Sequence, residues 1–265
     1  MAEDRVPGAG SGPRTGGRRV LVTAGASGIG LAMGRAFADA GWAVWVCDRD
    51  EAALADCPRD WGRTVLDIAD EEAVAAMMRL IGGAGGLDAI CANAGTAGPT
   101  APVTEQPWDG WRACLDVTLG GAFLTVKHGA PLLQRGGAIV FTSSTAGLYG
   151  YPGRAPYAAA KWAIHGLMKT VAMELGPRGI RANAIAPGAV EGPRMEGVLA
   201  REAAMKGMTP DQVREGYAAG TSMRTWVRAE DIAAMALFLC SDGAARVSGQ
   251  IVAVDGHTEN PDPKV

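Results

Sequence analysis

The segment from Arg18 to Trp42, RRVLVTAGASGIGLAMGRAFADAGW, limits what this chain can fold into more than any other stretch. Val20, Leu21 and Val22 form the short apolar run of a strand buried on both faces. A turn with Gly25, Gly28 and Gly30 follows. Ile29, Met33, Phe37 and Ala40 then recur at helical spacing as far as Gly41, placed to end the helix. Strand, glycine turn and helix in this order make a phosphate cradle. The small residues admit a pyrophosphate close to the backbone, and the helix N-terminus points unpaired N–H groups at it. The next apolar run, Ala43–Cys47, ends in Asp48, 23 residues after Gly25. That is near the spacing of roughly 20 at which a carboxylate meets an adenine-ribose diol. A carboxylate here repels a 2′-phosphate and favours NAD, whereas Arg49 beside it is the residue type that contacts such a phosphate.

Further along, strand and helix patterns alternate. Strands are expected near 18–23, 43–47, 63–66, 87–91, 137–142, 180–185 and 250–254, and helices near 28–40, 70–82, 107–133, 156–175 and 229–240. This rhythm predicts an α/β fold, a doubly wound parallel sheet of about seven strands with helices on both faces. Residues 188–228 break the rhythm with repeated Gly and Pro among short helical pieces, and read as a substrate lid inserted before the last helix. Residues 1–17 read as a disordered tail and 258–265 as a C-terminal tail around one domain, 18–257. A net charge of −3 gives no polybasic surface, which argues against nucleic acid and anionic membrane as partners. No apolar stretch is long enough to span a bilayer. Five scattered cysteines without a C-x-x-C pair suit a reducing, cytoplasmic compartment, and three isolated histidines offer no metal site.

Tyr157 and Lys161 stand one helical turn apart, and Ser144 precedes the tyrosine by thirteen residues. A phenol with a pKa near ~10 is a poor base at neutral pH. An ammonium group beside it favours the phenolate, and a serine hydroxyl can then orient the oxygen whose proton the tyrosine moves.

These motifs together resemble those of the short-chain dehydrogenases/reductases over roughly residues 18–257. Thr23-Ala24-Gly25-Ala26-Ser27-Gly28-Ile29-Gly30 is similar to the family's T-G-x-x-x-G-x-G, and Ala92-Asn93-Ala94-Gly95 to its N-N-A-G. Ser144 with Tyr157-x-x-x-Lys161, then Asn183–Gly188 and Gly249–Gly256, follow in the family's order. The resemblance implies a Rossmann-type fold and a secondary alcohol/ketone couple served by NAD. Tyr157 would be the general acid/base, Ser144 would orient the substrate oxygen, and Lys161 would lower the phenol pKa and bind the nicotinamide ribose. Cofactor contacts are implied for Gly25, Ser27, Gly28, Ile29, Gly30, Asp48, Arg49, Asp67, Ile68, Asn93, Ala94, Gly95, Pro187, Gly188 and Val190, besides Tyr157 and Lys161. Family members commonly pair as homodimers or homotetramers through the helices near 107–133 and 156–175 and through the last strand.

Three positions depart from the family pattern. Ala24 replaces the first glycine, which leaves Gly25 to carry the turn, and Ala92 replaces the first Asn of N-N-A-G. Thr118 takes the place of a fourth catalytic residue, an Asn whose main-chain carbonyl holds a proton-relay water at a helix kink. Gly120 and Gly121 beside Thr118 are expected to keep that kink. For the substrate, Arg154 and Arg194 are either carboxylate clamps or ordinary surface residues. Two other readings stand beside NAD-dependent alcohol oxidation: an NADPH-dependent ketoreductase of the oxoacyl type, and a non-catalytic nucleotide-binding protein.

Overall fold

A computed structural model describes residues 17–262. The tail expected over 1–17 therefore lies, Gly17 apart, outside the described residues. The chain runs β1 (Arg19–Thr23), α1 (Gly28–Asp39), β2 (Ala43–Asp48), α2 (Glu51–Ala55), β3 (Gly62–Val65), α3 (Glu71–Gly83) and β4 (Leu87–Ala92). It continues with α4 (Trp108–Leu115), α5 (Gly121–Gly129), β5 (Leu133–Thr142), α6 (Ala155–Leu175), β6 (Arg181–Pro187), α7 (Pro193–Lys206), α8 (Pro210–Ala219), α9 (Ala229–Cys240) and β7 (Ile251–Val254).

The seven strands pair in parallel in the order β3-β2-β1-β4-β5-β6-β7. The order reverses between β1 and β4, so the chain leaves these neighbouring strands toward opposite faces and opens a crevice at their C-terminal ends. The apolar alternation of the strands fills two cores. On one face Leu21, Ile90, Ile139 and Phe141 meet Val74 and Met77 of α3, Val126 of α5, and Ile164 and Met168 of α6. On the other, Val20, Val22, Val46 and Val140 meet Met33 and Phe37 of α1 and Ile232, Ala236 and Leu239 of α9. The doubly wound sheet read from the sequence is the architecture observed, and α7 and α8 fill the expected lid insertion. The lid has its own small core of Leu199, Ala203 and Val213, with Met195, Met208, Tyr217 and Trp226 against it.

Two local expectations need correction, and one element was not expected. The helix expected over 107–133 is two helices joined by a π-helical turn, Asp116–Gly120, and β5 begins at Leu133, four residues before the expected 137. A register shift in the β4–β5 pairing and Gly136 at φ 88° absorb that early start. Helix α2 was not expected at all; its five residues are too few to show a period, and Asp50 caps it by accepting from the Ala53 amide at 3.0 Å. The C-terminal tail expected after 257 is docked over its described part. Thr258 pairs with Thr221, and the amides of Glu259 and Asn260 both donate to the Gly220 carbonyl, at 2.9 and 3.0 Å. Trp108 and Phe123, Trp162 and Met173 are exposed on α4, α5 and α6.

Candidate active site

The turn after β1 is built around its small residues. A Cβ on Gly25 would meet Val46 Cγ1 at 2.5 Å, and one on Gly30 would meet the Ala24 carbonyl oxygen at 2.0 Å. Gly28 opens α1 at φ 50° with free space around it, and Ser27, the N-cap, makes no capping bond with its side chain. Gly25 was expected to carry the turn, but the left-handed residue is Ala24, at φ 51°. Gly25 is small because β2 lies against it, which is a packing reason. Asn93 latches the turn to β4. Its amide nitrogen donates to the carbonyls of Thr23 and Ala24 at 3.1 and 3.4 Å, and its backbone N–H to the Thr23 hydroxyl at 2.9 Å. The Ala94 N–H shares that hydroxyl at 3.0 Å. A turn of small residues, tight at Gly25 and Gly30 and open at Gly28 on a helix N-terminus, suits a dinucleotide pyrophosphate.

Asp48 closes β2, and its carboxylate accepts from the amides of Ala26 at 3.3 Å and Asp50 at 3.2 Å. Two bonds leave acceptor sites for a diol. Arg49 beside it is exposed, and Asp67, also exposed, accepts from the Ala69 amide at 2.9 Å. Ile68 is buried against Gly121, where a Cβ would stand 2.7 Å from Ile68 Cγ2. Gly95 lies between Thr118 and Lys161: a Cβ there would be 3.4 Å from Thr118 Oγ1 and 3.5 Å from Lys161 Nζ. Thr118 is fully buried within the π-helical turn and accepts from the Thr96 amide at 3.2 Å. The kink expected beside Gly120 and Gly121 is this turn.

Tyr157 and Lys161 sit in the first turns of α6, with Pro156 fixing φ where a missing N–H costs nothing. Lys161 is 2% exposed and donates to the Thr142 carbonyl at 2.6 Å; its Nζ is 5.7 Å from the centre of the Tyr157 ring. Burial alone would raise the Tyr157 pKa. The positive charges of Lys161, Arg194 and Arg154 and a hydrogen bond with Ser144 outweigh it and bring the phenol down to about 8. Burial likewise brings the Lys161 ammonium down, to about 8, although the neighbouring phenol favours its charge. Ser144 caps a short turn, its hydroxyl accepting from the Ala146 amide at 3.1 Å. Behind it, the Ser143 hydroxyl donates to the Lys161 carbonyl at 3.1 Å and lies 2.7 Å from His165 Nε2, which pins α6 to the end of β5.

One cleft runs from the glycine turn to the lid. Of the residues singled out in the sequence, Ser27, Gly28, Ile29, Gly30, Asn93, Ser144, Tyr157, Lys161, Pro187, Gly188, Val190, Arg154 and Arg194 line it. Gly25, Asp48, Arg49, Asp67, Ile68, Ala94, Gly95 and Thr118 do not line it. The sequence did not point to Tyr217, which reaches the cleft from α8 and hydrogen-bonds Tyr151. Nor did it point to the Thr142 carbonyl that holds Lys161. A lone tyrosine in a polar helix and a main-chain oxygen carry no pattern.

Comparison with known proteins agrees with this fold. The model of a family described as enoyl-(acyl carrier protein) reductase matches residues 23–257. The chain is 38% identical over 248 residues to cis-4-hydroxycyclohexanecarboxylate dehydrogenase of Sinomonas cyclohexanicum, covering 90% of this chain and 95% of the relative. It is 32% identical to a 3-oxoacyl-(acyl-carrier-protein) reductase of Thermotoga maritima, covering 91% and 97%. Among solved structures, NAD+-bound xylitol dehydrogenase superposes with a TM-score of 0.86 at 28% identity, covering 90% of this chain and 98% of that one. Levodione reductase does so with a TM-score of 0.84 at 30% identity, covering 92% and 98%. With the sheet order, the glycine turn and the Ser144–Tyr157–Lys161 cluster in place, the chain belongs to the short-chain dehydrogenase/reductase family.

Proposed function

We propose that this chain oxidises a secondary alcohol to a ketone with NAD, and that Tyr157 is the base. The observation that carries the reading is the phenol of Tyr157, brought down to about 8 at the floor of a cleft that begins in a dinucleotide cradle. Ser144 holds the substrate oxygen, and Tyr157 takes its proton as the carbonyl forms. Lys161, fixed by the Thr142 carbonyl, keeps the phenolate favourable and offers its remaining N–H groups to the ribose. A bound nicotinamide supplies the two-electron acceptor, while the cradle of Ala24–Gly30 positions its phosphates. Asp48, with free acceptor capacity, favours NAD by binding the ribose diol. The relatives named for hydroxycyclohexanecarboxylate, borneol and xylitol support an alcohol substrate.

The test is a panel of secondary alcohols, 4-hydroxycyclohexanecarboxylate among them, read by NADH absorbance. Tyr157→Phe is expected to lower turnover at least ~100-fold, the lower range of general acid–base catalysis. Equal rates in wild type and variant would overturn the reading. NADPH-dependent reduction of a 3-oxoacyl substrate is the second reading, favoured by the exposed Arg49 and by the Thermotoga maritima relative. A kcat/KM higher for NADP(H) than for NAD(H) would select it.

A further inference from the structure

Arg154 is 7% exposed, and its guanidinium carbon lies 4.3 Å from the centre of the Tyr157 ring and 5.7 Å from that of Tyr151. A permanently charged group is thus packed against the ring that does the chemistry. Its Nε is buried without a hydrogen-bond partner, and among the described residues its side chain makes no ion pair. A buried, unpaired charge is strongly unfavourable, so the free protein leaves an anion's place open. Glu202, a buried carboxylate in the adjoining wall, does not fill it. Glu202 accepts from the Tyr217 hydroxyl at 2.7 Å and pairs with Lys206 at 2.8 Å. At the mouth of the same cleft Arg194, exposed in the first turn of α7, also has no ion-pair partner among the described residues. Apolar surface from Met195 and Val198 lies on the lid side of the cleft.

We propose that Arg154, with Arg194 at the mouth, binds a carboxylate carried by the substrate, so that the natural substrates are hydroxy acids whose alcohol carbon and carboxylate are joined by a short apolar skeleton. The proposal deepens the alcohol-oxidising reading and rests on it. The planar fork of Arg154 suits bidentate contact with a carboxylate. Anchoring one end of the substrate on Arg154 and the other on Ser144 and Tyr157 fixes whether the single hydrogen of the alcohol carbon faces the cofactor side of the cleft, and so which stereoisomer reacts.

The experiment compares kcat/KM for 4-hydroxycyclohexanecarboxylate and its neutral carboxamide. Wild type is expected to prefer the carboxylate. Arg154→Gln is expected to reduce that preference ~100-fold, and Arg154→Lys, which keeps the charge but not the fork, about tenfold. A ratio is read because the charge of Arg154 also bears on Tyr157, and both substrates share that effect. Calorimetric binding of cyclohexanecarboxylate, which has no alcohol to oxidise, to the NAD-loaded protein is the second readout. Binding at least ~10-fold weaker in Arg154→Gln is expected. An unchanged ratio in both Arg154 variants, or equal probe binding in wild type and Arg154→Gln, overturns the proposal. A higher KM for NAD in Arg194→Gln, at an unchanged ratio, overturns the part given to Arg194 and hands that residue to the cofactor phosphates. The two readings fail separately. Arg154-dependent probe binding with no alcohol oxidised sinks the alcohol reading alone, and alcohol oxidation without Arg154-dependent discrimination sinks the carboxylate site alone.

Discussion

Tyr157 works against its own burial, which favours the neutral phenol, and the three cations around it reverse the balance. For oxidation the phenolate is the active form. kcat/KM is therefore expected to rise about tenfold per pH unit below a pKa of about 8. Arg194→Gln removes a positive charge, favours the phenol, and moves that limb to higher pH. A limb centred near the ordinary phenol value of ~10 in wild type would contradict this account. Ala24 offers a second residue-scale test. An alanine at φ 51° pays for a left-handed backbone that glycine adopts freely. Ala24→Gly is expected to raise the unfolding free energy by about 1 kcal/mol, read from urea denaturation. Tyr157 and Lys161 could be singled out in the sequence because they share a helix face, and Ser144 because it stands where the resembled family carries its serine. The state of Arg154 was not legible there. Its seclusion depends on Tyr151, on the start of α6 and on a lid whose docking no local pattern records.

Among elements, the break between α4 and α5 is the most telling. Residues Asp116–Gly120 shift the ladder so that the Gly121 N–H donates to the Asp116 carbonyl, five residues back. Gly121 is small because Ile68 packs over it, and Thr118 turns inward to hold the Thr96 amide. Backbone and neighbours set this geometry without the amide side chain that the family pattern carries. Thr118→Asn is expected to leave turnover within about threefold of wild type, since the kink is already present. A hundredfold gain would mean that the natural relay is impaired. The paired glycines announced an irregularity in the sequence; that it would be a π-turn depended on Ile68 and on the loop after β4. Helix α2 and the early start of β5 escaped because one is a single turn and in the other Leu133 is followed by Gln134, Arg135 and two glycines, without apolar alternation.

For the molecule as a whole, a parallel sheet covered by helices on both faces follows from alternating strand and helix patterns, whereas the order of its strands was not read from them. Nor was the docking of the last described residues, because their partners lie in the lid. Lys206 of α7 pairs with Glu202 at 2.8 Å and with Asp262 at 2.6 Å, while Glu202 accepts from Tyr217 in the cleft wall. Asp262, the last described residue, is thereby linked to the cleft wall through one buried carboxylate. The amides of Glu259 and Asn260, both held by the Gly220 carbonyl, become a gauge of lid breathing. Deuterium is expected to enter them faster in Lys206→Met, and more slowly when NAD and a non-reacting carboxylate are both present. Identical uptake in all three states would show that these amides report nothing about the lid. If the gauge works, ligand engagement can be timed at residues remote from every reacting atom, without waiting for a turnover.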